Sequence, residues 1–141
     1  MKISQENTDR FIALMLRFHQ LGEALLPFNN FSISPAQVVY LDFIARHGPC
    51  NLMQITEGLG LRPASVSTMI KVLEKQALIT RQTNPDDRRS INLQLSSKGQ
   101  EVYTAMDQYR KAKAERFLVR LYAAEQAQFL GLFEKTINEK D

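Results

Sequence analysis

The stretch from Ile79 to Leu95 constrains this chain more than any other. Its second half, Ser90-Ile91-Asn92-Leu93-Gln94-Leu95, puts Ile91, Leu93 and Leu95 on one face and Ser90, Asn92 and Gln94 on the other. That alternation is the period of a half-buried strand. Ahead of it stands Asn84-Pro85-Asp86-Asp87, a set of residues that favours tight reversals. With Ile79-Thr80-Arg81-Gln82-Thr83 as the first strand, the sequence predicts a hairpin with Arg88 and Arg89 side by side near its tip. Arginines held out on a narrow ribbon can reach into a groove.

The segments around the hairpin read as helices. Phe11, Leu14, Met15, Phe18, Leu21 and Leu25 repeat at helical spacing, and Pro27 with Asn29-Asn30 ends that run. The next helix has a capping box in Ser34 and Gln37, Pro35 at its first position, a staple in Ile33 and Val38, and Gly48-Pro49 as its stop. Asn51 caps a short helix from Leu52 to Leu59, with Gln54 at its third position. Gly60 turns the chain, and Pro63 opens a helix to about Gln76. Short helix, glycine turn and second helix form a helix-turn-helix, and the hairpin that follows makes it winged. Ser96 caps a long helix from about Ser97 to Arg120, with Val102, Met106, Tyr109, Ala112, Phe117 and Leu121 as its apolar line. A last helix, about Ala124 to Asn138, turns Ala127, Leu130, Phe133 and Ile137 inward. Its start is expected to be poorly capped, because Ala123 and Ala124 stand where Ser or Thr would help.

The expected architecture is mainly α with a small β-wing, in one domain of 141 residues. A winged helix-turn-helix lobe spans about 33–100. Helices at about 5–28 and 101–141 carry more apolar surface than a lone pair of helices buries easily, which points to dimerisation; packing back onto the lobe is the other reading. Without a signal-peptide pattern or an apolar run of about 18 residues, the chain is expected to be cytoplasmic and off the membrane. A single Cys50 allows no internal disulfide. Net charge is only +3, but it is unevenly placed. Between residues 62 and 98, Arg62, Lys71, Lys75, Arg81, Arg88, Arg89 and Lys98 stand against Glu74, Asp86 and Asp87. Such a patch suits phosphate attraction, and a solvated face is equally compatible with the charge alone.

The helix after Gly60 is more specific. At 100° per residue, Val66, Met69, Ile70 and Leu73 fall together toward a core. Ala64, Thr68, Lys71 and Lys75 fall opposite, with Ser65 and Ser67 on the flanks. No carboxylate stands on this outer face in the first two turns. Hydroxyls there can bond base edges or phosphates, and Ala and Thr methyls can touch a thymine methyl. An ordinary surface helix would more often mix in Glu for pairs four residues apart.

These residues together resemble the MarR family of bacterial transcriptional regulators. The matching pieces are Ile33-Ser34-Pro35-Ala36-Gln37, Ile55-Thr56-Glu57-Gly58-Leu59-Gly60-Leu61, Ala64-Ser65-Val66-Ser67-Thr68-Met69-Ile70 and Leu73-Glu74-Lys75-Gln76-Ala77-Leu78-Ile79. The most specific are Pro85-Asp86-Asp87-Arg88-Arg89 and Leu95-Ser96-Ser97-Lys98-Gly99. The resemblance implies a homodimer on a pseudo-palindromic double-stranded DNA site, with each recognition helix in a major groove and each wing in a flanking minor groove. The DNA-binding residues would be Arg62, Pro63, Ala64, Ser65, Ser67, Thr68, Lys71, Arg81, Asp87, Arg88 and Arg89. Arg89 would enter the minor groove, Arg88 would lie along the phosphates, and Asp87 would orient the arginine by an ion pair or simply build the turn. The likeness also implies a repressor released by a small aromatic or phenolic effector. Met15, Phe18, His19, Phe28, Tyr40 and Tyr109 are candidates for its pocket, each equally readable as aromatic core. Ala77 departs from the glycine usual in the family at that position.

No metal or cofactor is expected, since His19 and His47 lack the company a metal site needs. No nucleophile triad, carboxylate pair or Gly-rich phosphate loop gives catalysis a foothold. Cys50, just ahead of a helix, is open to two readings, a redox-active thiol or a small buried residue. The alternative function from another class is a winged-helix protein-interaction module that does not bind DNA.

Overall fold

A computed structural model describes residues 3–23 and 31–138. Among them the order is α1 (Gln5–Glu23), α2 (Pro35–His47), α3 (Leu52–Leu59), α4 (Pro63–Lys75), β1 (Ile79–Thr83), β2 (Ile91–Leu95), α5 (Ser97–Leu118) and α6 (Ala123–Asn138). The expected stop of the first helix at Pro27 and Asn29-Asn30, the apolar Leu25 and the pocket candidate Phe28 lie outside the described residues, as does the side chain of Leu21. The chain divides into two compact units, Pro27–Asp107 and the paired ends Met1–Leu26 with Gln108–Asp141.

In the first unit the helix ends follow local chemistry. Ser34 Oγ accepts the Gln37 N–H at 3.3 Å, and Gln37 Oε1 accepts the Ser34 N–H at 2.8 Å. Asn51 and Gln54 exchange the same pair of bonds at 2.8 and 2.9 Å. Each box satisfies two N–H groups that the helix itself cannot. At the other end of α3, Gly60 takes φ 63°, and Leu61 N–H reaches Thr56 O at 3.2 Å. This six-residue closure needs a left-handed residue, the conformation glycine adopts without a side-chain penalty.

Leu41, Ile44, Ile55, Val66, Ile70, Leu73, Leu78, Leu93, Val102 and Met106 are almost wholly removed from solvent and form one core. Each such side chain contributes roughly 1.5–3 kcal/mol on burial. Strands β1 and β2 pair antiparallel with Ile79 opposite Leu95 and Thr83 opposite Ile91. Cys50 adds a one-residue bridge, its N–H to Leu93 O at 3.0 Å and the Leu93 N–H to its own O at 2.7 Å. That bridge ties the start of α3 to the second wing strand.

Helix α4 ends in a tight closure. Leu78 N–H reaches Leu73 O, and Ala77 N–H reaches Glu74 O, both at 2.9 Å. The geometry puts Ala77 at φ 58°, where a β-carbon costs about 1–2 kcal/mol. The glycine that the family pattern calls for would relieve it. Ala77→Gly is therefore expected to raise the unfolding free energy by about 1 kcal/mol, the relieved clash outweighing glycine's larger chain entropy. A higher urea midpoint at unchanged m-value checks this; an unchanged or lower midpoint contradicts it.

Beside the start of α6, Glu125 Oε2 accepts the Tyr122 N–H at 2.8 Å, half of a capping box without the Ser or Thr, and Gln126 Nε2 donates to the carbonyls of Leu118 and Leu121 at the end of α5, at 3.1 and 3.0 Å. One expectation is corrected in the second unit. The apolar residues placed inward on α6 are exposed, Leu130 at 44%, Phe133 at 52% and Ile137 at 64%. So are Phe11, Leu14, Met15 and Phe18 of α1. Helical spacing shows that a face is apolar; it does not show what covers it.

Candidate nucleic-acid interface

Helix α4 presents Ala64, Ser65, Thr68 and Lys71 to solvent, with Ser67 half-buried and Val66, Ile70 and Leu73 in the core. Thr68 Oγ1 donates to Ala64 O at 2.9 Å. Its hydroxyl proton is thus occupied, leaving the oxygen to accept and the methyl to make apolar contact. Met69 was expected in the core. It packs against the core and also lines a shallow depression with Ala64, Ser65, Thr68 and Val72. The N-terminus of α4 differs from those of α2 and α3. Arg62 occupies the cap position without a side-chain hydrogen bond, and Pro63 follows. Uncapped first-turn N–H groups, aided by the helix dipole, suit an anion such as phosphate.

The wing tip is a nested turn. Asn84 Oδ1 accepts the Asp86 N–H at 3.0 Å, Asn84 O accepts the Asp87 N–H at 3.3 Å, and Asp87 O accepts the Ser90 N–H at 3.0 Å. Asp87 Oδ1 accepts the Arg89 backbone N–H at 2.9 Å. The expected ion pair between Asp87 and an arginine is thus replaced by a backbone bond. Asp87 shapes the turn that carries Arg89 and does not grip its guanidinium. Arg88 and Arg89 are both exposed.

Arg81 is placed differently from the other expected contacts. Its Nε and Nη2 both engage the Glu74 carboxylate, the Nη2 bond at 3.0 Å. That carboxylate hydrogen bond, with Glu74's charge, raises the arginine's already high pKa, so Arg81 is a cation whose charge is matched in place.

A hollow of about 350 Å³ lies between the start of α3 and the wing, lined by Asn51, Leu52, Met53, Arg81, Asp87, Arg89, Ser90, Ile91 and Leu93. Ile91 was read as part of the buried strand face, yet it is 43% exposed, because the hairpin extends beyond the core that covers Leu93. Met53, 68% exposed, was not anticipated. Its signal was available, since it falls off the Leu52, Ile55 and Leu59 face of α3. Cys50 is buried, and burial pushes its thiol pKa up. The helix it precedes is already capped by Asn51, so the environment favours the small-residue reading over a reactive thiolate.

The pocket candidates do not share one environment. Tyr40 belongs to the lobe core. Phe18 meets Phe117 edge-on at 5.4 Å between ring centres, with Lys113 Nζ 4.4 Å above the Phe18 ring. Lys113, Arg116, Phe117, Arg120 and Leu121 complete a hollow of about 270 Å³ beside Phe18. Met15 and His19 lie on α1 and Tyr109 on α5. Among the described residues no three His, Cys, Asp or Glu side chains gather as a metal site, and no helix is long and apolar enough to cross a membrane.

The sequence profile of the MarR family matches residues 33–91, the segment holding α2, the helix-turn-helix and most of the wing. The HTH-type transcriptional repressor MdtR of Bacillus subtilis is 32% identical over 122 residues, covering 86% of this chain and 79% of that protein. The crystal structure of YusO from Bacillus subtilis superposes with a TM-score of 0.73 at 27% identity, over 99% of this chain and all of that one. The MepR–DNA complex of S. aureus shares the fold, with a TM-score of 0.71 at 19% identity, over 99% of this chain and all of that one. The exposed recognition face, the arginine-tipped wing and these likenesses agree: the chain belongs to the MarR family of winged helix-turn-helix transcriptional regulators.

Proposed function

We propose that the protein is a homodimeric repressor that reads a pseudo-palindromic DNA operator and is released from it by a small effector. The observation that carries this is the exposed apolar surface of the end helices, from Phe11 through Phe18 on α1 and from Phe129 to Ile137 on α6. A surface of that extent calls for a covering partner, and a second copy supplies one of matching chemistry. Two copies set two α4 helices about one turn of DNA apart, roughly 34 Å. Ala64, Ser65, Thr68 and Lys71 then face the major groove, with Ser67 at its edge. Arg62, Pro63 and the open end of α4 approach phosphates, and Arg88 and Arg89 extend toward the flanking backbone and minor groove. MdtR is a repressor, and MepR holds DNA on this fold.

The effector acts only through its different affinity for the DNA-competent and incompetent spacings. Phe18, with Phe117 and Lys113 beside it, is the expected pocket residue placed best to meet an aromatic ligand.

The test begins with selection of bound sequences from a random duplex pool. Phe11→Glu is then expected to convert a dimer to a monomer by sedimentation velocity and to weaken operator binding at least about a hundredfold, because one half-site holds alone what two held together. A variant that remains dimeric and binds as the parent does rejects the assignment of α1 to the interface. If the parent selects no sequence and shows no salt-dependent DNA binding, a protein partner for the lobe becomes the better reading.

A further inference from the structure

Glu74 and Arg81 form an ion pair that the DNA-reading role of α4 and the wing does not by itself explain. Glu74 is on the last turn of the recognition helix; Arg81 is the middle residue of the first wing strand. Between them runs the closure that holds Ala77 at positive φ. Both nitrogens on one edge of the guanidinium meet both carboxylate oxygens. The side chains retain 44% and 25% exposure. A pair so wet contributes little to stability, but the two-point arrangement fixes direction as well as distance. Arg81 also lines the hollow that Asp87 and Arg89 share at the wing.

We propose that Glu74 and Arg81 are positioning residues: their pair sets the angle between recognition helix and wing, and Arg81 is not itself a phosphate contact. The reason is geometric. One lobe must reach a major groove with α4 and a neighbouring minor groove with the wing tip. The two elements are joined by the short segment Gln76–Leu78. A small rotation there carries the wing tip, at the far end of a five-residue strand, several ångströms off its groove. The closure fixes the end of α4, and the core fixes Leu78 and Ile79. Beyond Ile79 the first wing strand is exposed, and the pair spans this outer side of the junction. The carboxylate also has an electrostatic consequence. It cancels Arg81's charge in place, so the arginine brings no counterion-releasing charge of its own to DNA. A lone Glu74 at the edge of a DNA-reading face would repel phosphate; paired, it does not.

The inference rests on α4 and the wing being the DNA-reading elements, so the experiment carries its own control. Binding is measured against salt for the parent, Arg88→Gln, Arg81→Gln, Glu74→Gln, the doubly neutral Glu74→Gln/Arg81→Gln and the reversed pair Glu74→Arg/Arg81→Glu, on random duplex DNA and on the selected operator. Folding of each variant is confirmed by thermal unfolding. Arg88→Gln should lower the salt slope by about 0.9 per protomer; if it does not, the DNA-reading assignment fails. With that control in place, the doubly neutral Glu74→Gln/Arg81→Gln should leave the slope on random DNA unchanged, and Arg81→Gln should weaken operator binding about tenfold. Glu74→Gln frees a cation, so its slope should rise on random DNA while operator preference falls. The reversed pair should recover operator affinity to within about threefold of the parent. A slope that drops by about 0.9 per protomer in Glu74→Gln/Arg81→Gln makes Arg81 a phosphate contact and overturns the proposal. A reversed pair that binds no better than the single variants overturns it as well, as does full operator affinity in Arg81→Gln.

Discussion

Replacing Arg89 with alanine is expected to weaken operator binding by about two orders of magnitude and to leave the proposed dimer intact. A guanidinium contact with base edges contributes roughly 1–3 kcal/mol per site, and the proposed dimer would place two of them. The turn around it should survive, because the bond that holds it runs from the Arg89 backbone N–H to Asp87 Oδ1 and does not involve the removed side chain. Fluorescence anisotropy on the selected operator gives the affinity, and sedimentation velocity gives the oligomer. The loss should be largest on operators whose flanking segments are A·T-rich, where the minor groove is narrow and its potential most negative. Parent-like binding by Arg89→Ala would mean that the wing tip does not contact DNA. An equal loss on A·T and G·C flanks would instead mark Arg89 as a phosphate contact.

The second large effect concerns stability. Gly99→Ala is expected to destabilise the protein by about 3 kcal/mol, near the top of the range for overpacking. A β-carbon at Gly99 would stand 1.9 Å from the carbonyl oxygen of Leu78. That obstacle is backbone, held by its own bond from the Ser96 N–H at 3.0 Å, and it has no rotamer through which to give way. The surrounding bonds share the strain. Ser96 Oγ donates to Ala77 O at 2.6 Å and accepts the Gly99 N–H at 2.9 Å, and Lys98 Nζ donates to Gln76 O at 3.0 Å. The start of α5 is therefore docked directly on the end of the recognition helix. Moving it to admit a methyl group would displace α4 as well. The midpoint of thermal unfolding should fall by roughly 10 °C for a chain of this size, and operator binding should weaken below that midpoint. A midpoint within about 2 °C of the parent would show that the junction yields easily.

The Leu-Ser-x-x-Gly pattern thus has a physical reading beyond its likeness to a family. Serine caps α5 and binds the preceding closure, and glycine allows the two backbones to meet. Gln37 takes part at the other side of the same junction. Buried on α2, it closes its own capping box and donates its Nε2 to Gln76 Oε1. The end of the recognition helix is consequently held by side chains from α2 and α5 together.

Some of this was legible in the residues alone because the governing interactions span four positions or fewer. Ser34 with Gln37, Asn51 with Gln54, Gly60 after α3 and Asn84 before the wing tip act within one turn, so their spacing is the structure. Alternation placed the second wing strand, and the carboxylate-free face of α4 could be counted out at 100° per residue. The likeness to the family added the suspicion about Ala77, but its positive φ depends on the closure from Leu78 to Leu73.

What only the folded chain decided lies at longer range. Arg81 read as one more cation of a basic patch until the turn at Ala77 brought Glu74 alongside it. Asp87 was open to two readings, ion-pair partner of an arginine or builder of the turn, until the tip folded and gave it the Arg89 backbone N–H. Ile91 obeyed the alternation of its strand, and yet the strand outruns the core. The apolar stripes of α1 and α6 were plain from their period, but not that they would lie open on a single copy of the chain. Periodicity and caps are local properties of the backbone, so the sequence by itself determined the elements, the ends of the lobe helices and which face of each is apolar. Charge pairing, close backbone approach and what covers an apolar face depend on residues brought together from distant positions, and those were settled by packing.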